Sequence, residues 1–167
     1  IVNANGMVMT PDTSTSTRTA HGEARFDDGE KGITTARAGH MAHGTTRQVL
    51  SLITNPIDVI CGNLKTVHDM MPDRPDILGA HLEGPFLAMP RKGAHDPNCL
   101  VDPTPDLVSR MLDAADGCLR QITIAPELPH GIDAIRRFFL AGVVPASATA
   151  MPTTRLPEKD STPEPES

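Results

Sequence analysis

The sequence predicts an α/β protein built on a parallel sheet, and two observations carry that prediction. From about Gly29 to Ala146 short apolar runs of strand length alternate regularly with amphipathic helical stretches. Strands joined by helical crossovers lie parallel, with right-handed connections. A complete (β/α)8 barrel takes typically ~250 residues. The 167 residues here, with polar zones at Thr10–Thr19 and Pro152–Ser167, hold about half of one.

The elements follow in order. Ile1–Met9 reads as a short strand or strand pair with Asn5-Gly6 as a tight turn, and Thr13–Thr17 as loop. A helix is predicted over Gly29–His43, closed by Gly44, and a strand over Arg47–Thr54. Asn55 as cap and Pro56 in the first turn open a second helix, in which Ile57, Ile60, Leu64, Val67 and Met71 recur at helical spacing. Pro72 and Pro75 end it, and Ile77–Glu83 is the next strand. Gly84–Pro103 is a loop longer than a connection requires, which favours a functional role. Thr104-Pro105-Asp106 starts a helix with Leu107, Val108, Met111, Leu112 and Ala115 on one face, ended by Gly117. A strand over Leu119–Ala125 stops at Pro126, a helix over His130–Ala141 turns Ile132, Ile135, Phe138 and Phe139 inward, and Val143–Ala146 begins another strand. The tail from Pro152, rich in Pro, Glu, Ser and Thr, is expected to be disordered. The divisions expected are an N-terminal β segment and polar linker over 1–18, the α/β body over 19–150 and the tail over 151–167.

Composition limits the function classes. A formal net charge of -6, with no clustered Lys/Arg face, argues against a nucleic-acid or anionic-membrane partner and leaves a small phosphorylated ligand open. No run approaches the ~18 apolar residues of a membrane span, and no charged-then-apolar leader is visible. Cys61, Cys99 and Cys118 have no CxxC spacing, which fits reduced thiols and a cytoplasmic setting. The sequence starts at Ile1, so an upstream start is expected.

Chemistry concentrates in Leu78–Phe86 and Lys92–Pro97. Alternate residues of a strand share a face, so His81 and Glu83 point one way while Ala80 and Leu82 point the other. Glu83 sits at the strand's C-terminal end, where α/β folds place their clefts, and His95 follows on a polar loop. Plain readings compete. Glu83 and Glu127 could be ordinary strand-end carboxylates, His81 a core histidine bonded to backbone, and His95 a solvated loop residue. His40 and His43 read better as a helix end than as a metal pair, and His68 and His130 carry no site reading.

Gly79-Ala80-His81-Leu82-Glu83-Gly84-Pro85-Phe86-Leu87 with Lys92-Gly93-Ala94-His95, then Ile122–Glu127, then Ala141-Gly142-Val143-Val144, resembles the N-acetylglucosamine-6-phosphate deacetylase family of the amidohydrolase superfamily. His43-Gly44-Thr45-Thr46 followed by Leu52-Ile53-Thr54 resembles that family's second barrel strand and its approach, so the match runs in order from about His21 to Val144. The resemblance implies roughly the first half of a TIM (β/α)8 barrel. It also implies hydrolysis of the acetamide of N-acetylglucosamine 6-phosphate to glucosamine 6-phosphate and acetate, in cytoplasmic amino-sugar breakdown by a homo-oligomer. By resemblance a divalent ion, zinc first with iron, manganese or cobalt as alternatives, polarises the amide and activates water. Glu83 is then a metal ligand with His21 beside it, Ala94 and His95 contact the sugar, and His81 and Glu127 support the ligands.

The chain departs from that pattern twice. Thr19-Ala20-His21-Gly22 stands where an H-x-H motif is usual, and Pro11–Arg18 is polar where an apolar strand should precede it. After Val144 the family's G-H-T-x-A-like segment is replaced by Pro145–Ala150, and the two downstream His ligands and the catalytic Asp have no counterpart. The expectation is therefore a fragment, a truncated product or a decayed copy. Its rival functions are a non-catalytic remnant or binding module of the same fold, and an amidohydrolase for another acylated substrate. Exposed sheet edges predict poor solubility or partial disorder without oligomerisation.

Overall fold

A computed structural model describes residues 24–148. The predicted strand over Ile1–Met9, the loop over Thr13–Thr17, His21 with its neighbours and the tail from Pro152 lie outside the described residues, as do the divisions at 18/19 and 150/151.

Four strands and four helices alternate: α1 (Gly29–Ala42), β1 (Gln48–Ile53), α2 (Ile57–Met70), β2 (Ile77–Glu83), α3 (Pro105–Ala115), β3 (Leu119–Ile124), α4 (Gly131–Leu140) and β4 (Val144–Ser147). The strands form one parallel sheet in the order β1-β2-β3-β4. Each neighbour in space is the neighbour in sequence, the arrangement that helical crossovers impose. Ile53 is level with Glu83, Glu83 with Thr123, and Thr123 with Ala146, so the C-terminal ends line up along one rim.

The core lies on the helix side. Leu50, Leu52, Ala80, Leu82, Ile122 and Ile124 pack with Ile33 of α1, Ile60, Leu64 and Val67 of α2, Val108 and Met111 of α3, and Ala134 and Phe138 of α4. Alternation sends Ser51, His81, Glu83 and Thr123 to the opposite face. Two phenylalanines close the core at one end, Phe86 and Phe138 meeting with ring centroids 6.3 Å apart. With so few aromatics, aliphatic side chains fill the rest.

Helix ends behave largely as the residues predict. The Thr104 hydroxyl accepts the Leu107 amide at 3.4 Å with Pro105 in the first turn, and α3 ends on left-handed Asp116 followed by Gly117 at φ 79°. Asn55 does not cap α2. Pro56 occupies that position, and the Asn55 amide instead donates to the Asp27 carboxylate at 3.2 Å and the Ile53 carbonyl at 3.3 Å.

In α4, Phe138 and the smaller Ala134 and Gly131 turn inward and Ile135 is partly buried, but the predicted inward positions Ile132 and Phe139 are 58% and 68% exposed. These two lie seven residues apart, on one side of the helix. Among the described elements the helix packs chiefly on α3, β3 and β4.

Candidate functional site

Glu83 is the last residue of β2, and the chain turns away immediately after it. Gly84 makes the turn possible: it has φ 83°, and a Cβ there would collide with the Thr54 hydroxyl. That hydroxyl donates to the Glu83 carbonyl at 3.0 Å, and the Gly84 amide donates to the Thr123 carbonyl at 3.2 Å. Beyond the turn the Ala125 amide bonds the Phe86 carbonyl at 2.8 Å and the Val101 amide bonds the Pro85 carbonyl at 3.3 Å, so both ends of the long loop are tied to the strand rim.

The loop returns His95 to Glu83. Two short 3-10 turns, Met89–Arg91 and Pro97–Cys99, fold it, the second capped by the Asp96 carboxylate on the Asn98 amide at 2.9 Å. His95 is pinned through its backbone, its amide on the Lys92 carbonyl at 3.1 Å and its carbonyl on the Lys92 ammonium at 3.2 Å. Its Nε2 lies 3.6 Å from the Glu83 carboxylate, with the imidazole 11% exposed. Its Nδ1 is buried with no hydrogen-bond partner among the described residues. Such an atom is costly unless something polar meets it.

His81 is held differently. Nδ1 bonds the Ser51 hydroxyl and Nε2 the Thr123 hydroxyl, each at 2.9 Å, so the imidazole bridges β1 and β3 through side chains rather than through backbone. Burial pushes its pKa down, against a smaller upward pull from Glu83. With both nitrogens engaged it has no lone pair left for a metal.

Asp27 was not among the expected site residues. It precedes α1, and its carboxylate accepts the Ile53 amide at 3.2 Å and the Asn55 side chain, tying that segment to the end of β1. Burial pushes its pKa up to about 6, above what its hydrogen bonds and Arg25 would set, with Asp28 adding to the rise. Nothing in the sequence distinguishes it from Asp28. Ser51 and Thr123, by contrast, are legible as polar residues interrupting apolar strands.

Of the predicted residues that the structure describes, His95 is the one brought within ion-pair distance of Glu83. Ala94 and Glu127 are exposed, on the loop and on the turn after β3. No three His, Cys, Asp or Glu side chains among the described residues come together as a metal site. A catalytic zinc usually takes three protein ligands, and Glu83 with His95 supplies two groups, so the described residues do not fit a metal centre on their own. Among them, no helix is long and apolar enough to cross a membrane.

No family model matches the chain. Curated relatives do: the N-acetylglucosamine-6-phosphate deacetylase of Lysinibacillus sphaericus is 28% identical over 133 residues, 74% of this chain and 34% of that protein. The Vibrio furnissii protein of the same name is 32% identical over 104 residues, 60% of this chain and 26% of its own length. Among solved structures, an N-acetyl-D-glucosamine-6-phosphate deacetylase from Mycobacterium smegmatis superposes with a TM-score of 0.69 at 37% identity, over 73% of this chain and 35% of that one. The Pasteurella multocida enzyme gives 0.67 at 25% identity, over 74% and 32%. The chain thus spans about a third of the length of its relatives. Over seven-tenths of its length the chain is similar in sequence and in backbone to N-acetylglucosamine-6-phosphate deacetylases, its four-stranded parallel sheet matching part of their fold.

Proposed function

We propose that the chain carries one corner of a deacetylase site for the acetamide of an N-acetyl amino-sugar 6-phosphate, N-acetylglucosamine 6-phosphate first, within amino-sugar breakdown in the cytoplasm. The observation behind this reading is the pairing of Glu83 with His95 at the C-terminal end of β2, His95 keeping one buried nitrogen without a partner. An amide carbonyl or a sugar hydroxyl offers the group that nitrogen lacks. A divalent ion, zinc first, belongs to the proposal only with His21 and further donors outside residues 24–148.

The rival reading is a non-catalytic binding module of the same fold. It is favoured by the lack of a third ligand among the described residues. Acetate release from N-acetylglucosamine 6-phosphate, assayed with added Zn²⁺, separates the two. Turnover that disappears in Glu83→Ala supports the enzyme. No turnover, with no metal retained after dialysis, leaves the binding module.

A further inference from the structure

On the reading of Glu83 and His95 as one corner of a site, we propose that Asp27 is a positioning residue for that corner, acting through residues 53–55 at the end of β1. One oxygen of the Asp27 carboxylate accepts both the Ile53 amide and the Asn55 side-chain amide, each at 3.2 Å, and the other lies 3.4 Å from the Ile53 amide. The residue between those two donors is Thr54. Its buried side chain donates its hydroxyl to the Glu83 carbonyl at 3.0 Å. A single carboxylate thus holds both neighbours of the side chain that holds Glu83.

The clamp is itself anchored. Phe26 is buried in the helix-side core, and the Asp27 carbonyl accepts the side-chain amide of buried Asn63 on α2 at 3.3 Å. Backbone and side chain of Asp27 are therefore both fixed, the first on α2 and the second on the end of β1. Asp28 is committed within its own turn, where its carboxylate accepts the Arg25 amide at 2.9 Å.

The far end of this chain of bonds leaves little slack. The Thr54 hydroxyl stands where a Cβ on Gly84 would be, so a displaced Thr54 meets the turn that directly follows Glu83. From that turn starts the loop that returns His95 to 3.6 Å from the Glu83 carboxylate. Bonds to an ionised acceptor are roughly twice as strong as neutral ones, and a site works only when outer residues hold its groups within about 0.5 Å.

Hydrogen exchange of the Gly84 amide, which donates to the Thr123 carbonyl, tests the link in the full chain at pH 7.5, with the Ala134 amide of α4 as the remote reference. Asp27→Ala is expected to speed Gly84 exchange about tenfold relative to Ala134, and Asp27→Asn, which keeps an acceptor oxygen, to restore most of the protection. Asp27→Ala with Thr54→Val should exchange no more than about twofold faster at Gly84 than either change alone, because both cut the same link. Equal acceleration at Gly84 and Ala134 overturns the proposal, as do single effects that multiply in the double variant. Should Asp27→Ala fail to fold, Thr54→Val reads the link from its other end: the Asn55 side-chain amide and the Asp27 carboxyl resonances should move, and unmoved signals overturn it. Acetate release from N-acetylglucosamine 6-phosphate with added Zn²⁺ is followed in parallel. Where the wild type turns over, kcat should fall several-fold in Asp27→Ala and recover in Asp27→Asn, and an unchanged kcat counts against Asp27. No turnover by the wild type defeats the enzyme reading alone, and the exchange ratio still decides the role of Asp27.

Discussion

The Thr54 hydroxyl donates to the Glu83 carbonyl at 3.0 Å, stitching the end of β1 to the residue that carries the site. Thr54 is buried, so the bond has little competition from water. Thr54→Val keeps the shape and removes the donor. It is expected to cost about 1 kcal/mol in urea unfolding and to shift the Glu83 amide resonance; an unchanged Glu83 signal would show the stitch to be idle.

Asp27 sets a pH dependence of definite sign. Its folded pKa, about 6, lies above the ordinary 3.8, so between those values the folded chain holds a proton that the unfolded chain releases. Stability from this group is therefore greatest below pH 4, falls as pH rises toward 6 and stays low above it, by on the order of 3 kcal/mol. Asp27→Asn removes that slope, so the variant's stability relative to wild type should climb between pH 4 and 6. A flat difference in urea midpoints across that range would contradict it.

His81 runs the other way. Its folded pKa is held below 6.5, mainly by burial, so the unfolded chain takes up a proton first and stability falls as pH drops through 6.5. His81→Leu strands the hydroxyls of Ser51 and Thr123 and is expected to cost about 2–4 kcal/mol. Adding Ser51→Ala and Thr123→Val should recover part of that loss, because the stranded groups leave with it. Chemical denaturation of the three proteins measures this directly.

Cys118 is buried, and burial pushes its thiol up to about 11. Its Sγ lies 3.4 Å from the Leu64 carbonyl. Alkylation at pH 7.5, followed by mass spectrometry, should label half-exposed Cys99 early and Cys118 only when the chain unfolds. Early labelling of Cys118 would mean that the β3 end of the core opens readily.

Phe138 and Phe139 are neighbours with opposite fates, the first fully buried against Phe86 and the second mostly exposed. Phe138→Ala is expected to cost about 3–5 kcal/mol in thermal or urea unfolding. The same pair marks where sequence reading stopped. Periodicity located every helix and strand of the described body, because each is an amphipathic segment punctuated by Gly or Pro. It could not show that Ile132 and Phe139 stay exposed among the described residues, since that depends on what packs beside α4. In the site, alternation put His81 and Glu83 on one face, whereas the hydroxyls that hold His81 come from strands 30 and 42 residues away. Asp27 was invisible for the same reason: its role exists only once Ile53 and Asn55 are beside it.

The strand order has a consequence for how the molecule comes apart. β2 is paired on both sides, while β4 is short and is held by β3 and α4. Opening should therefore begin at the β4 end and reach Leu82 and Glu83 last. In hydrogen exchange the amides around Glu83 should outlast those of β4, keeping the Glu83 end of β2 intact through fluctuations that unzip the far edge.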